Sequence, residues 1–379
     1  NAFLVQMLRA NVREANQVVG DFYSLAACND VGHNRLIAMM DEIGLETLDD
    51  LGEFIFARTR AATLERIAAL PKGAWTNRLT TDGYDTPVTL QATVTTHEAE
   101  VNVDFTGTDG ISRWGINTPI IYTKAYACYA MKCVVAPDIP NNWASLEPFT
   151  VSSPENILNA PRPAPVSLRH VFGHMVPDLV LGALAQALPG KILAEGSGAL
   201  WNIHMSVRPA AGQQGSRAEI LMFNSGGMGA RPEQDGLNAT AFPSGVMTMP
   251  IEATEHAGPV VIWRKELRPD SAGDGQYRGG LGQIIEIEPA KGHEFEFSAM
   301  FDRTLNAPRG RNGGKEGKKG TVALDDGTPL NPKGWQHVPA GRKLVLHLPG
   351  GGGYGDPALR DPAARANDIS KGYISGDRT

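Results

Sequence analysis

The chain has 379 residues, 42% of them hydrophobic and 20% charged, with a formal net charge of -6. That length exceeds one compact core, so two or three packed units are expected, and the acidic balance disfavours nucleic acid and anionic membrane as partners. Three cysteines, Cys28, Cys128 and Cys133, none in a CxxC pair, fit a reducing cytosol and argue against a disulfide framework or a structural zinc.

From Asn1 to about Leu70 the apolar positions recur at helical spacing, as in Leu36, Met39, Met40 and Ile43. Ala2 to Leu8 reads as a helix already under way, which sets the expectation that the sequence begins inside a longer protein. Gly44 suits a helix stop, Asp49 and Asp50 suit the positive amino end of the next helix, and Pro71-Lys72-Gly73 is a turn. The period then changes to two, in Val88 to Val94 and Glu100 to Phe105, which predicts two paired strands turning near His97. A helix over 119–136 carries Tyr122, Tyr126 and Tyr129 on one face, and Pro137 ends it. Those tyrosines read first as aromatic core packing.

Glu147 to Val151 is predicted as a strand and Pro177 to Leu188 as a helix with proline in its first turn. Residues 215–356 mix short strands, such as Val260 to Trp263 and Gln283 to Ile287, with glycine-rich turns. The expected fold class is α+β, divided into a helical region 1–73, a mixed region 74–214, a glycine-rich β region 215–357 and a polar tail 358–379 whose end is expected to be mobile.

Three strings can carry chemistry. In Arg169-His170-Val171-Phe172-Gly173-His174-Met175-Val176-Pro177-Asp178 a continuous helix would align His170, His174 and Asp178, as a metal site of two histidines and a carboxylate requires. Gly173 and Pro177 oppose that helix and leave both histidines in the loop leading into the next one. There, Arg169, His170 and His174 are candidate catalytic residues, suited to an anionic or phosphorylated intermediate; the alternative is that the imidazoles satisfy buried backbone groups. In Asn224 to Pro232 the glycines permit close backbone approach, so Gly226, Gly227, Gly229 and Arg231 are candidate substrate-lining residues. The string lacks the Gly-Lys-Ser/Thr end of a phosphate loop. Pro349 to Pro357 contains four successive glycines, Gly350 to Gly353, which implies a close-packed passage rather than a lid; Tyr354 should anchor it and Asp356 should cap its exit.

Read in order, many strings resemble those of the hydantoinase B/5-oxoprolinase family, which is related to acetone carboxylase. They include Asn11-Val12-Arg13, Asp104-Phe105-Thr106-Gly107-Thr108, Asn117-Thr118-Pro119, Pro161-Arg162-Pro163 and Gly182 to Pro189. Further on come Gly226 to Pro232 with Asp235-Gly236, Glu266 to Ser271, Tyr277 to Gly282 and Gly350 to Pro357. The resemblance implies an ATP-dependent hydrolase of hydantoins, 5-oxoproline or other lactams, working through phosphorylation of a carbonyl. A ketone carboxylase subunit or a non-catalytic scaffold of such a complex is the alternative. It also implies that ATP is bound by a partner, a hydantoinase A-type ATPase subunit, in a higher-order heteromer in the cytoplasm. The family's divalent metal has its ligands in a segment before the Asn-Val-Arg string, so none is assigned to this chain.

Overall fold

A computed structural model describes residues 1–12 and 14–375; Arg13 of the Asn-Val-Arg string, and the last four residues of the polar tail, lie outside the described residues. The order of elements begins with helices α1 (Ala2–Asn11), α2 (Ala15–Ile43) and α3 (Asp49–Ala68), then strands β1 (Gly73–Thr81), β2 (Val88–Thr96) and β3 (Val101–Asp104). Next come α4 (Ile120–Val135), α5 (Trp143–Leu146), β4 (Phe149–Ser152), α6 (His170–Gly173) and α7 (Val176–Ala187). The remainder is β5 (Trp201–Pro209), β6 (Ala218–Asn224), α8 (Ile251–Ala257), β7 (Val260–Leu267), β8 (Gln283–Pro289), β9 (His293–Met300), β10 (Thr321–Leu324), β11 (Lys333–Val338), β12 (Leu344–His347) and α9 (Pro362–Ser370). Helices and open sheets in these proportions make the α+β class expected from the sequence. Among the described residues no helix is long and apolar enough to cross a membrane.

The chain forms two compact units, Asn1–Thr59 and Arg60–Thr379. In the first, α1 and α2 pack on each other, Asn1 caps α1 by accepting from the Leu4 N-H, and Gly44 ends α2 in the left-handed conformation expected of a helix stop. Among the described residues of this unit Val19 is buried, while large apolar residues such as Phe3, Tyr23 and Phe54 are exposed.

The second unit holds two hydrophobic cores. In one, the sheet β1-β2-β3-β4 pairs antiparallel except for the parallel β3–β4 contact, and α7 lies on β1 and β2 with α4 beside it. The period of two seen in β2 has this cause: Val88, Leu90, Ala92 and Val94 face the helices while the alternate residues are half exposed. In the other, the sheets β10-β12-β8-β7 and β11-β9-β5-β6 share one core of Trp201, Ile203, Met205, Ile285, Ile287, Phe295, Phe297, Leu344 and Leu346. Because β5 pairs with β9, residues on either side of position 214 belong to one sheet.

The glycine strings form a third kind of packing, without strands. Extended segments bond laterally, backbone to backbone: Gly227 N to Pro349 O at 3.0 Å, Gly351 N to Gly280 O at 2.9 Å, Gly280 N to Met228 O at 2.7 Å and Gly352 N to Glu195 O at 2.8 Å. A Cβ on any of Gly350, Gly351, Gly352 or Gly353 would overlap a carbonyl of Ser271, Met228, Arg309 or Asp274 respectively. The four-glycine run is therefore close-packed, as expected. The Tyr354 hydroxyl accepts from Asn312 at 2.7 Å, and Asp356 caps the turn by accepting from the Ala358 N-H at 2.9 Å.

Candidate functional site

The site is assembled from α4, the turn of α6 and the strand β5. Asn117 fixes the segment before α4: its amide donates to the carbonyls of Ser112, Trp114 and Pro165, and its oxygen accepts from the Ser112 N-H. The neighbouring Thr118 hydroxyl donates to the Arg169 carbonyl at 3.3 Å, tying the start of α4 to the start of α6. Pro119 then stands at the N-cap, and Tyr122, Tyr126 and Tyr129 recur on one face of α4, with ring centroids 5.1 Å and 6.5 Å apart. Gly173 has a local reason: a Cβ there would overlap the Tyr122 ring, so glycine lets α4 approach α6.

The histidines are not in a plain loop, as the proline and glycine suggest, nor on one continuous helix. His170 begins the four-residue α6, His174 follows it, and α7 starts anew at Val176 with Pro177 in its first turn. Two short helical pieces still bring the rings together, with centroids 5.6 Å apart. The Asn202 side-chain amide lies 3.2 Å from His170 Nε2, and the Tyr122 hydroxyl lies 3.5 Å from His174 Nε2. Tyr126 packs edge-on to His174 at 5.3 Å, and the Arg169 guanidinium lies 5.5 Å from the centre of the Tyr122 ring.

Burial, and then the Arg169 charge, push the His170 imidazole down to about 4; burial, and then His170, push His174 down to about 3. Both rings are therefore neutral near pH 7. Burial also holds the Tyr126 and Tyr129 phenols well above their ordinary value. Nδ1 of His174 and Oδ1 of Asn202 are buried with no hydrogen-bond partner, which is uncommon for native polar atoms. Because the folded state keeps both imidazoles below their unfolded value of about 6.5, the unfolded chain binds more protons as pH falls from there. The contribution of these two rings is thus expected to be full above about pH 6.5 and to be lost towards about pH 4, measured as a falling melting temperature; His174→Gln should flatten that decline. An unchanged slope in the variant would show that these rings do not carry the acid sensitivity.

The other predicted residues lie elsewhere. Gly226, Gly227 and Gly229 are buried, and a Cβ on them would meet the backbone of Pro349, Gly280 and Ala194 respectively. The Arg231 guanidinium donates to the Asp235 carbonyl, and Arg231 lines a cavity of about 600 Å³ with Tyr129, Lys191, Met228 and Phe242. Asp178 does not join the histidines. It is buried against Arg303, whose Nη2 lies 3.2 Å from it while Nη1 lies 3.2 Å from Glu195. Arg309 binds Glu195 from the other side, and Arg311 donates to the Leu193 carbonyl. Sequence reasoning misses this network, because its members come from α7, the 190s loop and the 303–311 loop and no local spacing joins them.

Neither expected group is completed by these side chains. His170 and His174 offer two ring nitrogens, yet among the described residues no three His, Cys, Asp or Glu side chains come together as a metal site. The sequence holds no phosphate loop ending in Gly-Lys-Ser/Thr that would bind ATP.

The chain matches the Hydantoinase B/oxoprolinase family over residues 1–357. It is 29% identical to a Pseudomonas sp. (strain NS671) protein named as the B-type subunit of a D-/L-hydantoinase, covering 100% of this chain and 66% of that one. It is 27% identical to 5-oxoprolinase 1 of Arabidopsis thaliana, over 90% of this chain and 27% of the relative. The chain thus spans about two thirds of the bacterial relative and a smaller part of the plant one. Its fold is shared with the ATP-dependent caprolactamase of Pseudomonas jessenii, with a TM-score of 0.83 at 22% identity over 100% of this chain and 68% of that one. It is also shared with nucleotide-free acetone carboxylase, at a TM-score of 0.70 and 18% identity over 84% and 50% of the two chains. With the family match running over nearly the whole length, this chain belongs to the hydantoinase B/oxoprolinase family.

Proposed function

We propose that the chain is part of the catalytic subunit of an ATP-dependent hydrolase of a small cyclic amide: a hydantoin, 5-oxoproline or another lactam. The observation that carries this reading is the pairing of two neutral imidazoles, His170 and His174, beside the exposed guanidinium of Arg169. An amide carbonyl is a poor electrophile, and phosphorylating its oxygen makes that oxygen a leaving group. The subunit must then hold phosphoryl charge and orient water. Arg169 supplies the charge. The neutral rings, one oriented by Asn202 and the other by Tyr122, can donate or accept a hydrogen bond without the cost of burying an ion.

ATP is supplied in this reading by a hydantoinase A-type ATPase subunit in a heteromeric complex. The B-type name of the Pseudomonas relative and the ATP dependence of the caprolactamase support it. The test is ATP hydrolysis by the purified complex against lactams, hydantoins and ketones, with and without bicarbonate. Lactam- or hydantoin-dependent turnover without bicarbonate is expected, and His170→Gln or His174→Gln should lower kcat by about 10²-fold or more. Turnover that requires a ketone and bicarbonate would replace hydrolysis by carboxylation. A complex with no substrate-dependent turnover would leave the chain a scaffold.

A further inference from the structure

Away from the histidines, a cavity of about 380 Å³ opens between β1 and the 303–319 loop. Arg78, Arg303, Arg309 and Lys319 line it, against a single lining carboxylate, Glu316. We propose that this cavity is a binding site for a phosphate group, carried either as inorganic phosphate or on a small phosphate monoester.

The three guanidinium groups are held in place before any ligand arrives. Arg303 is fully buried between Asp178 and Glu195. Arg309 Nε donates to the buried Glu195 carboxylate at 2.5 Å, and its Nη2 lies 3.5 Å from the Asn77 side-chain oxygen. Arg78 Nε donates to Gln91 at 2.5 Å across the β1–β2 pair, which leaves its two terminal nitrogens for another acceptor. The backbone at Lys319 is fixed by Arg268, whose Nη1 donates to the Lys319 carbonyl at 2.8 Å. Asp178 and Glu195 offset Arg303 and Arg309 from behind. Arg78 and Lys319 form no ion pair among the described residues, so positive charge collects at the mouth. Converging like charges repel, and in a concave site they favour an oxyanion that accepts from several directions at once. Fixed guanidinium groups also reduce the ordering cost of binding, and the volume lies within the range of small-molecule sites.

This inference does not depend on the reaction proposed above. Its test is calorimetric titration of the whole chain at constant ionic strength with inorganic phosphate, glycerol phosphate and succinate, repeated for Arg78→Gln and Lys319→Gln. Saturable binding of one of the phosphates is expected, weakened about tenfold in each variant by loss of one charge-assisted hydrogen bond. Tighter binding of glycerol phosphate would identify an organic phosphate as the ligand, and tighter binding of inorganic phosphate the free ion. Melting curves matching the parent show that a weakened variant is folded. Absence of saturable binding, equal binding of succinate, or undiminished affinity in both folded variants would overturn the assignment.

Discussion

Replacing Gly351 by Val is expected to cost about 3 kcal/mol or more, at the upper end of overpacking penalties, because the intruding atoms meet a backbone carbonyl that cannot rotate away. A Cβ at Gly351 overlaps the Met228 carbonyl, and its immediate neighbours Gly350 and Gly352 are packed as tightly against Ser271 and Arg309. Relief by a local shift would therefore break bonds such as Gly351 N to Gly280 O and Gly273 N to Gly351 O, both about 2.8–2.9 Å. The readouts are soluble yield and melting temperature, with Gly52→Ala as control. Gly52 lies inside α3 with nothing within 4 Å of its Cβ position. That change should stabilise by roughly 0.5–1 kcal/mol through helix propensity. A Gly351→Val protein with parental melting behaviour and reduced turnover alone would refute the packing account and move the segment into the active site.

The second large effect is expected at Arg303. Its guanidinium is buried and bridges two buried carboxylates, so Arg303→Met should destabilise by about 3–5 kcal/mol by leaving both without a counter-charge. Arg303→Lys should restore little, since one ammonium cannot present two diverging pairs of donors. The pH dependence separates the partners. Burial, only partly offset by Arg303, pushes Asp178 up to about 7, whereas for Glu195 the cations Arg303 and Arg309 outweigh burial and hold it below its ordinary value.

For Asp178 the folded state binds the extra proton, so its contribution is present at acid pH and is lost as pH rises towards 7. For Glu195 the contribution is present above its unfolded value and is lost as pH falls below it. With Arg303 gone both carboxylates are pushed upward, so the deficit of Arg303→Met in melting temperature should be larger at pH 8 than at pH 5. Adding Asp178→Asn and Glu195→Gln should recover part of it. A small deficit independent of pH would mean that the network does not hold the loop.

Local regularity explains which parts of this fold are legible in the sequence. Strand β2 shows itself because one face is buried and the other is not. The span of α4 is readable from three tyrosines at helical spacing with proline at each end. Strands β1, β5 and β6 are not among the strands singled out from the sequence, although β5 alternates as cleanly as β2 and β1 follows directly on the Pro71-Lys72-Gly73 turn. The candidate site is partly legible for the same reason. Arg169, His170 and His174 stand within one short string, and the structure does place the two imidazoles together. Tyr122 and Asn202, which contact them, come from 32 to 52 residues away along the chain.

The sequence by itself determined the family, the α+β class, the helical opening, and the close packing of Gly350 to Gly353, because each is written in local composition, periodicity or an ordered set of strings. Only the tertiary structure decided that Asp178 turns from the histidines to Arg303, that Gly226 to Gly229 pack against Gly280 and Gly351, and that Arg78 meets Arg309 and Lys319 across a cavity. Those outcomes depend on which distant segments converge. Burial then sets the charge of each group, and burial is a property of the packed chain that no local spacing encodes.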